Sequence, residues 1–287
     1  MNTFEITYNG KPVQIISSTF NGGEEHVRLS LLDYVHTGTY TRPYGHLVVE
    51  AHVTSSQQLI QLAMIKDAAE RLLHPETSCL HIPYFPYARQ DRVCNTGEAF
   101  SLEVVANMIN SMEWDSVVVV DPHSDVTPAL INNVIVMEQW ESFKVLGGLK
   151  GGRDILIIPD AGAAKKSLKV AKYLGWNNIV QATKVRDIET GSITNTVVHA
   201  SDEELDGAYC TIFDDICDAG GTFIALAKKL KEKGVAKVTL CITHAILPNG
   251  ADHLYENGID EIWTTDSIYG YTDYPVDERI NVIKLSY

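Results

Sequence analysis

Short apolar blocks bounded by Gly, Pro, Asp or Asn alternate along this chain with longer stretches whose apolar positions recur every three or four residues. No other feature constrains the fold as strongly. The blocks VQIIS (13–17), HLVVEA (46–51), SCLHIPY (78–84), SVVVVD (116–121) and VIVME (134–138) read as strands. Between them SQQLIQLAMIKDAAERLL (56–73) and SLEVVANMINSM (101–112) carry helical periodicity. The second half repeats the plan. DILIIPDAG (154–162) is a strand ending in a turn, and AKKSLKVAKYLG (164–175) is a helix closed by Gly175. NNIVQATKV (177–185), TNTVVHA (194–200) and YCTIFDDI (209–216) are strands, and GTFIALAKKLKEKG (221–234) is a helix. AKVTLCITHA (236–245), DEIWTTD (260–266) and RINVIKLSY (279–287) follow as strands. Near-continuous Val/Ile strands alternating with helices predict an α/β protein whose mostly parallel sheets are covered on both faces.

The 287 residues suffice for two domains of about 100–200 residues each. The two halves read as copies of one plan, with domains over 1–140 and 141–287. The last strand is a candidate to return to the first domain. Hydrophobic residues make up 45% of the chain, enough for proper cores. No apolar run approaches the ~18 residues that span a bilayer. The start, MNTFEITYNGKPV, lacks the features of a secretion signal, so a cytoplasmic protein is expected. The five cysteines are odd in number and form no CxxC pair, which argues against a disulfide framework or structural zinc. A net charge of −14 repels phosphate polymers, so neither nucleic acid nor a membrane surface is an expected partner. A small anion can still bind where local Lys, Arg and helix N-termini overrule that field.

Ligands of open α/β sheets collect at the carboxyl ends of the strands. The most informative such place is TIFDDICDAGGT (211–222). An apolar strand runs into Asp214, Asp215 and Asp218, and Gly220, Gly221 and Thr222 then open a helix. Glycines let backbone N–H groups approach a phosphate, and the helix N-terminus adds unsatisfied donors and a positive dipole end. The carboxylates suit ribose hydroxyls or hydrated Mg2+. The plainer alternative is a capped turn with solvated acids, but the buried strand and the double Asp favour a site.

DDICDAGGT resembles the ribose 5-phosphate loop shared by phosphoribosyltransferases and ribose-phosphate pyrophosphokinases. The first half of the chain separates the two families. HIPYFPYARQDR (81–92) is similar to the ATP-site motif of the pyrophosphokinases. FNGGE (20–24), VVDPHSD (119–125), IIPDAG (157–162), KVR (184–186) and THAILPNGA (243–251) match in the same order, over nearly the whole chain. The resemblance implies two tandem phosphoribosyltransferase-like domains and transfer of the ATP β,γ-diphosphate to the C1 hydroxyl of ribose 5-phosphate. It implies an ATP site of Phe20, Glu24, Arg89, Gln90, Asp91, Arg92 and His123, with Phe20 and Glu24 reaching adenine in a neighbouring subunit of a homo-oligomer. The acceptor site would be Asp214, Asp215, Asp218, Ala219, Gly220, Gly221 and Thr222. His123 and Asp160 would serve Mg2+, and Lys184 and Arg186 would stabilise the transferring phosphoryl group. His244 is expected to be structural.

The chain departs from the family pattern in four places. Ala219 stands where Thr is common, Gly22 replaces an acid near adenine, and 93–103 lacks the basic residues of the usual regulatory loop. Where the family typically has a C-terminal helix, this sequence ends in RINVIKLSY (279–287), which is expected to be a strand. A 5-phosphate site short of one hydroxyl raises an alternative acceptor, a 5-substituted ribose phosphate such as ADP-ribose. A phosphoribosyltransferase explains DDICDAGGT but leaves the ATP motif unexplained. A silent regulatory homologue would be expected to lose the catalytic cations, which are present.

Overall fold

The computed structural model describes residues 2–30, 45–148, 153–186 and 193–287. The chain divides into two compact units, Met1–Met137 together with Tyr287, and Glu138–Ser286.

In the first unit β1 (Phe4–Tyr8) and β2 (Lys11–Pro12) form a hairpin about Asn9 and Gly10. Both turn residues have positive φ, 51° and 72°, the backbone for which Asn-Gly is favoured. The apolar blocks do not mark β1; this turn dipeptide was the available signal. β3 (Gln14–Thr19) and β4 (Glu25–Ser30) pair antiparallel in a separate hairpin. The block at 13–17 therefore stands outside the parallel sheet. Then come β5 (His46–Ala51), α1 (Ser56–Leu73), β6 (Thr77–His81), α2 (Ser101–Asn110), β7 (Ser116–Val120), α3 (Val126–Leu130) and β8 (Val134–Met137). Among the described residues the main sheet runs β2-β1-β5-β6-β7-β8, parallel from β5 to β8 and antiparallel at β1.

The match of α1 to its periodicity has a direct cause. Ser55 caps it in a capping box with Gln58, and Leu59, Leu62, Ile65, Ala69 and Leu73 share the buried face. Burying each Leu or Ile side chain contributes about 1.5–3 kcal/mol. Lys66 is also buried on this helix, paired with Glu70 and 5.1 Å from the Trp114 ring centroid.

The second unit contains α4 (Gln139–Ser142), β9 (Asp154–Ile158), α5 (Ala164–Leu174), β10 (Ile179–Arg186), β11 (Ile193–Val198) and α6 (Asp202–Leu205). It continues with β12 (Tyr209–Cys217), α7 (Gly221–Glu232), β13 (Lys237–Ala245), α8 (Asp252–Tyr255), β14 (Glu261–Thr265) and β15 (Asn281–Ile283). Its sheet runs β11-β10-β9-β12-β13-β14-β15, with only β10–β11 antiparallel among the described pairings. Alternate residues of β9 serve different cores. Ile155 and Ile157 pack with Ile212, Leu226 and Leu240, whereas Leu156 and Ile158 pack with Val170, Phe213 and Cys241. A strand buried on both faces reads as an unbroken apolar run, which is why these blocks show no alternation.

The two units share four successive parallel strands, β5-β6-β7-β8 and β9-β12-β13-β14. The second inserts α5, β10 and β11 between its first two. The terminal strand is shorter than the 279–287 block and stays in the second sheet, pairing with β14 rather than joining the first unit. Asp266 ends that ladder, because its carboxylate accepts the Leu285 N–H at 2.9 Å.

Candidate active site

Strand order singles out one edge of the second unit. From β9 the chain crosses through α5 to β10 on one side, while β12, β13 and β14 extend on the other. The gap between the carboxyl ends of β9 and β12 is thus a topological switch point, where open α/β sheets bind ligands. Two sequence-predicted loops lie there, Asp160 after β9 and 214–222 at the end of β12.

β12 outruns its neighbour. Its pairing with β9 stops at Ile157 with Ile212, but its pairing with β13 continues to Cys217 with Ala245. Asp214 and Asp215 lie on this overhang. Their carboxylates hold the strand end themselves: Asp214 Oδ1 accepts the Asp215 N–H at 2.9 Å, and Asp215 Oδ1 accepts the Ile216 N–H at 2.8 Å. Successive strand residues face opposite ways. Asp215 is 6% exposed, with Oδ2 3.1 Å from Lys166 Nζ of α5. Gln139 Nε2 donates to the Asp214 carbonyl at 2.7 Å and to Thr243 Oγ1 at 3.1 Å. Neither contact has a sequence motif to announce it.

Gly220, which precedes α7, has φ +75° and is buried. A Cβ there would lie 2.5 Å from Leu254 Cδ2, so a side chain would be strained by the backbone and would have to displace buried Leu254. Gly221 is open, with nothing within 4 Å of a built Cβ. The Phe223 N–H already donates to the Gly220 carbonyl at 2.9 Å, so the Gly221 and Thr222 N–H groups are the helix-end donors of the kind that suit an anion. Ala219 is exposed and contributes no hydroxyl. Its carbonyl lies 2.9 Å from His253 Nε2 of α8. Burial pushes the Cys217 thiol beneath this loop up to about 12, with Asp214 and Asp218 adding to the effect. His244 is buried with Nδ1 2.8 Å from Ser267 Oγ.

Asp160 Oδ1 accepts the Ala163 N–H at 2.9 Å, which shapes the turn into α5. Lys184 and Arg186 lie on β10, opposite Thr196 and Ile193 and astride a bulge between Val185 and Arg186. Their side chains fall outside the described residues.

In the first unit the 89–92 segment follows β6 and His123 follows β7, a neighbouring parallel strand, so both lie at one sheet edge. Phe85 and Ala88 anchor this loop in the core. Tyr87, at φ 61°, turns it, and its hydroxyl is 2.7 Å from Ser56 Oγ at the start of α1. A bulky residue at positive φ is uncommon and tends to mark sites where strain is retained. Beyond the turn Arg89, Gln90 and Arg92 are exposed, and Asp91 is half-buried, 3.8 Å from Arg92. The next turn closes on itself, since the Glu98 carboxylate accepts N–H groups from Cys94 and Asn95 at 2.9 and 3.0 Å. Asn95, through its side chain first, holds Glu98 below the usual carboxylate range.

Phe20 and Glu24 lie at the β3–β4 tip, closed by the Phe20 N–H to Glu24 carbonyl bond of 2.8 Å. Phe20 is 57% exposed, an aromatic face presented to solvent. The hairpin is pinned to α1 through Glu25, which accepts from Gln57 and Gln61 at 2.6 and 2.5 Å. Gln61 is the foremost of the partners that lower the Glu25 carboxyl.

Among the described residues no three His, Cys, Asp or Glu side chains gather as a metal cage. Mg2+ commonly keeps its waters and takes one or two carboxylates plus substrate phosphates. Single donors at strand ends, as Asp160 and His123 are, suit an ion that arrives on a nucleotide. No helix among the described residues is long and apolar enough to cross a membrane.

An α/β unit with a glycine-opened helix at its switch point, preceded by paired carboxylates, defines a phosphoribosyltransferase-type site. The family model described as the phosphoribosyl transferase domain matches residues 127–279. The model described as the N-terminal domain of ribose phosphate pyrophosphokinase matches 34–112. The ribose-phosphate pyrophosphokinase of Campylobacter jejuni is 29% identical over 239 residues, covering 80% of this chain and 72% of that protein. That of a Marinomonas species is 32% identical over 219 residues, covering 75% and 68%. Phosphoribosylpyrophosphate synthetase from Mycobacterium smegmatis shares the fold, with a TM-score of 0.76 at 22% identity over 95% of this chain and 86% of that one. The chain belongs to the ribose-phosphate pyrophosphokinase family of transferases.

Proposed function

We propose that the protein moves the β,γ-diphosphate of Mg·ATP to the C1 hydroxyl of ribose 5-phosphate. The observation that carries this reading is the overhanging end of β12, where two carboxylates lead into the αL glycine that opens α7. The anomeric oxygen attacks the β-phosphorus in line. A bond from that oxygen to phosphorus forms, and the bond from the β-phosphorus to the α,β-bridging oxygen breaks. AMP departs with the bridging oxygen, and the hydroxyl proton is released. Asp214 and Asp215 hold ribose hydroxyls, while Asp218, Ala219, Gly220, Gly221 and Thr222 surround the 5-phosphate. Arg89, Gln90, Asp91, Arg92 and His123 bind ATP. Phe20 and Glu24 reach adenine across a subunit boundary, which makes the enzyme a homo-oligomer. Lys184 and Arg186 offset charge on the transferring group. Asp160 in the second unit and His123 in the first would each hold Mg2+ directly or through water, and the ion would offset charge on the phosphate oxygens. Positioning and electrostatics carry the rate, with no protein nucleophile. A cytoplasmic location fits these substrates.

Ala219 favours a second acceptor, ADP-ribose. Where a hydroxyl clamp on a terminal 5-phosphate is absent, a diphosphate ester meets one fewer group selecting against it, and a hydrogen bond to a charged group is worth roughly 1.5–3 kcal/mol. Incubation with Mg·ATP and either acceptor, followed by AMP release and the phosphorus spectrum of the product, separates the readings. AMP formed only with ribose 5-phosphate supports the first, and AMP formed only with ADP-ribose supports the second. AMP with neither rejects both and leaves a regulatory homologue. Diphosphate release from a preformed phosphoribosyl diphosphate would instead indicate a phosphoribosyltransferase.

A further inference from the structure

α8 lies behind the phosphate cradle and touches it at two successive residues. His253 Nε2 is 2.9 Å from the Ala219 carbonyl oxygen. A carbonyl only accepts, so the ring nitrogen facing it carries the proton. Leu254 is fully buried and fills the space a side chain at Gly220 would need. The helix is held in turn from the C-terminal segment. The Arg279 guanidinium pairs with Asp252 and Asp277 and lies 4.5 Å from the Tyr255 ring centroid. The Ile246 N–H donates to the Cys217 carbonyl at 2.8 Å, so the strand leading to α8 also joins the strand leading to the cradle.

We propose that His253 is a positioning residue for acceptor binding. By holding the Ala219 carbonyl toward α8, it turns the following peptide N–H groups outward, to the 5-phosphate side. A carbonyl rotated into the cradle would set a negative dipole end against the phosphate, so this bond helps to set the sign of the field there. The role matters more in this chain because Ala219 brings no hydroxyl of its own. The proposal rests on the phosphate-cradle reading above and assigns no proton transfer to the ring.

The test uses the full chain with three substitutions, H253A, H253M and H253Q. Met fills similar space without a donor, and the Gln amide can reach the same carbonyl. Ribose 5-phosphate, ADP-ribose and inorganic phosphate are titrated calorimetrically, and KM and kcat are measured for both substrates where turnover occurs. H253A and H253M should weaken phosphate-ester binding about tenfold, the size of one lost hydrogen bond. The KM for ATP should stay unchanged, and H253Q should restore most of the loss. Unchanged acceptor affinity in H253M overturns the proposal, as does a matching rise in both KM values or a failure of H253Q to rescue. If H253A does not fold, the H253M and H253Q pair decides alone. A wild-type chain that binds neither phosphorylated ribose nor phosphate rejects the cradle itself, a result distinct from wild-type binding that His253 does not influence.

Discussion

Lys166 Nζ lies 3.1 Å from Asp215 Oδ2, tying the first turn of α5 to the carboxyl end of β12. Asp215 is the more buried partner, so losing Lys166 leaves a largely desolvated carboxylate short of a cation. Lys166→Met should lower stability by about 1–3 kcal/mol, less than a fully buried pair because Lys166 retains some water contact. Thermal unfolding should show a lower midpoint, and the acceptor KM should rise more than that of ATP. An unchanged midpoint would mean that other contacts hold Asp215 equally well.

Gly220→Ala places a side chain where φ is +75° and Leu254 already stands. The left-handed backbone alone costs about 1–2 kcal/mol for a non-glycine residue. Acceptor binding should weaken by at least tenfold while ATP binding persists. Gly221→Ala, with open space around its Cβ, should fold normally and isolate any clash with the ligand. Equal behaviour of the two variants in calorimetry would contradict this distinction.

Lys184→Ala should reduce kcat roughly 100- to 1,000-fold, the range seen when one donor to transition-state charge is removed. ATP binding measured without acceptor should survive. If turnover persists, the charge-stabilising role belongs elsewhere, and Arg186→Ala is the next variant to assay.

Thiol chemistry should single out Cys94. Burial raises the Cys210 and Cys217 thiols to about 12 and also holds Cys241 well above the usual thiol range, so all three stay protonated at pH 8. Cys79 is half-buried and also raised, whereas Cys94 is exposed two residues beyond Arg92. The thiolate is the reactive form. A maleimide should therefore label Cys94 fastest in the native protein, and ATP should slow it. Peptide mapping that finds Cys217 or Cys241 labelled first would contradict the burial.

Long elements were readable because one force shaped them. α1 spans the residues its apolar period marks, and β9, β12 and β13 follow unbroken apolar runs buried on both faces. β1 and β4 escaped because antiparallel edge and hairpin strands bury only some of their side chains, leaving Asn9-Gly10 as the signal for the first. The loops proposed to carry the chemistry stand out as motifs, which depend on local order in the chain. Lys166, Gln139 and His253 were not. Each reaches the 214–222 loop through tertiary return, across 49, 75 and 34 positions of sequence, and a lone Lys, Gln or His carries no pattern that announces such a partner.

The overhang of β12 also limits how its acids can be altered. Because each carboxylate holds the amide of the following residue, removing the side chain frays the strand tip along with any grip on the sugar. Asp214→Asn keeps an oxygen in place for the Asp215 N–H while removing the charge, whereas Asp215→Asn also turns an amide NH2 toward Lys166 and breaks that ion pair. Engineering a different acceptor should therefore leave this pair intact and vary Ala219, whose side chain stands clear of the scaffold.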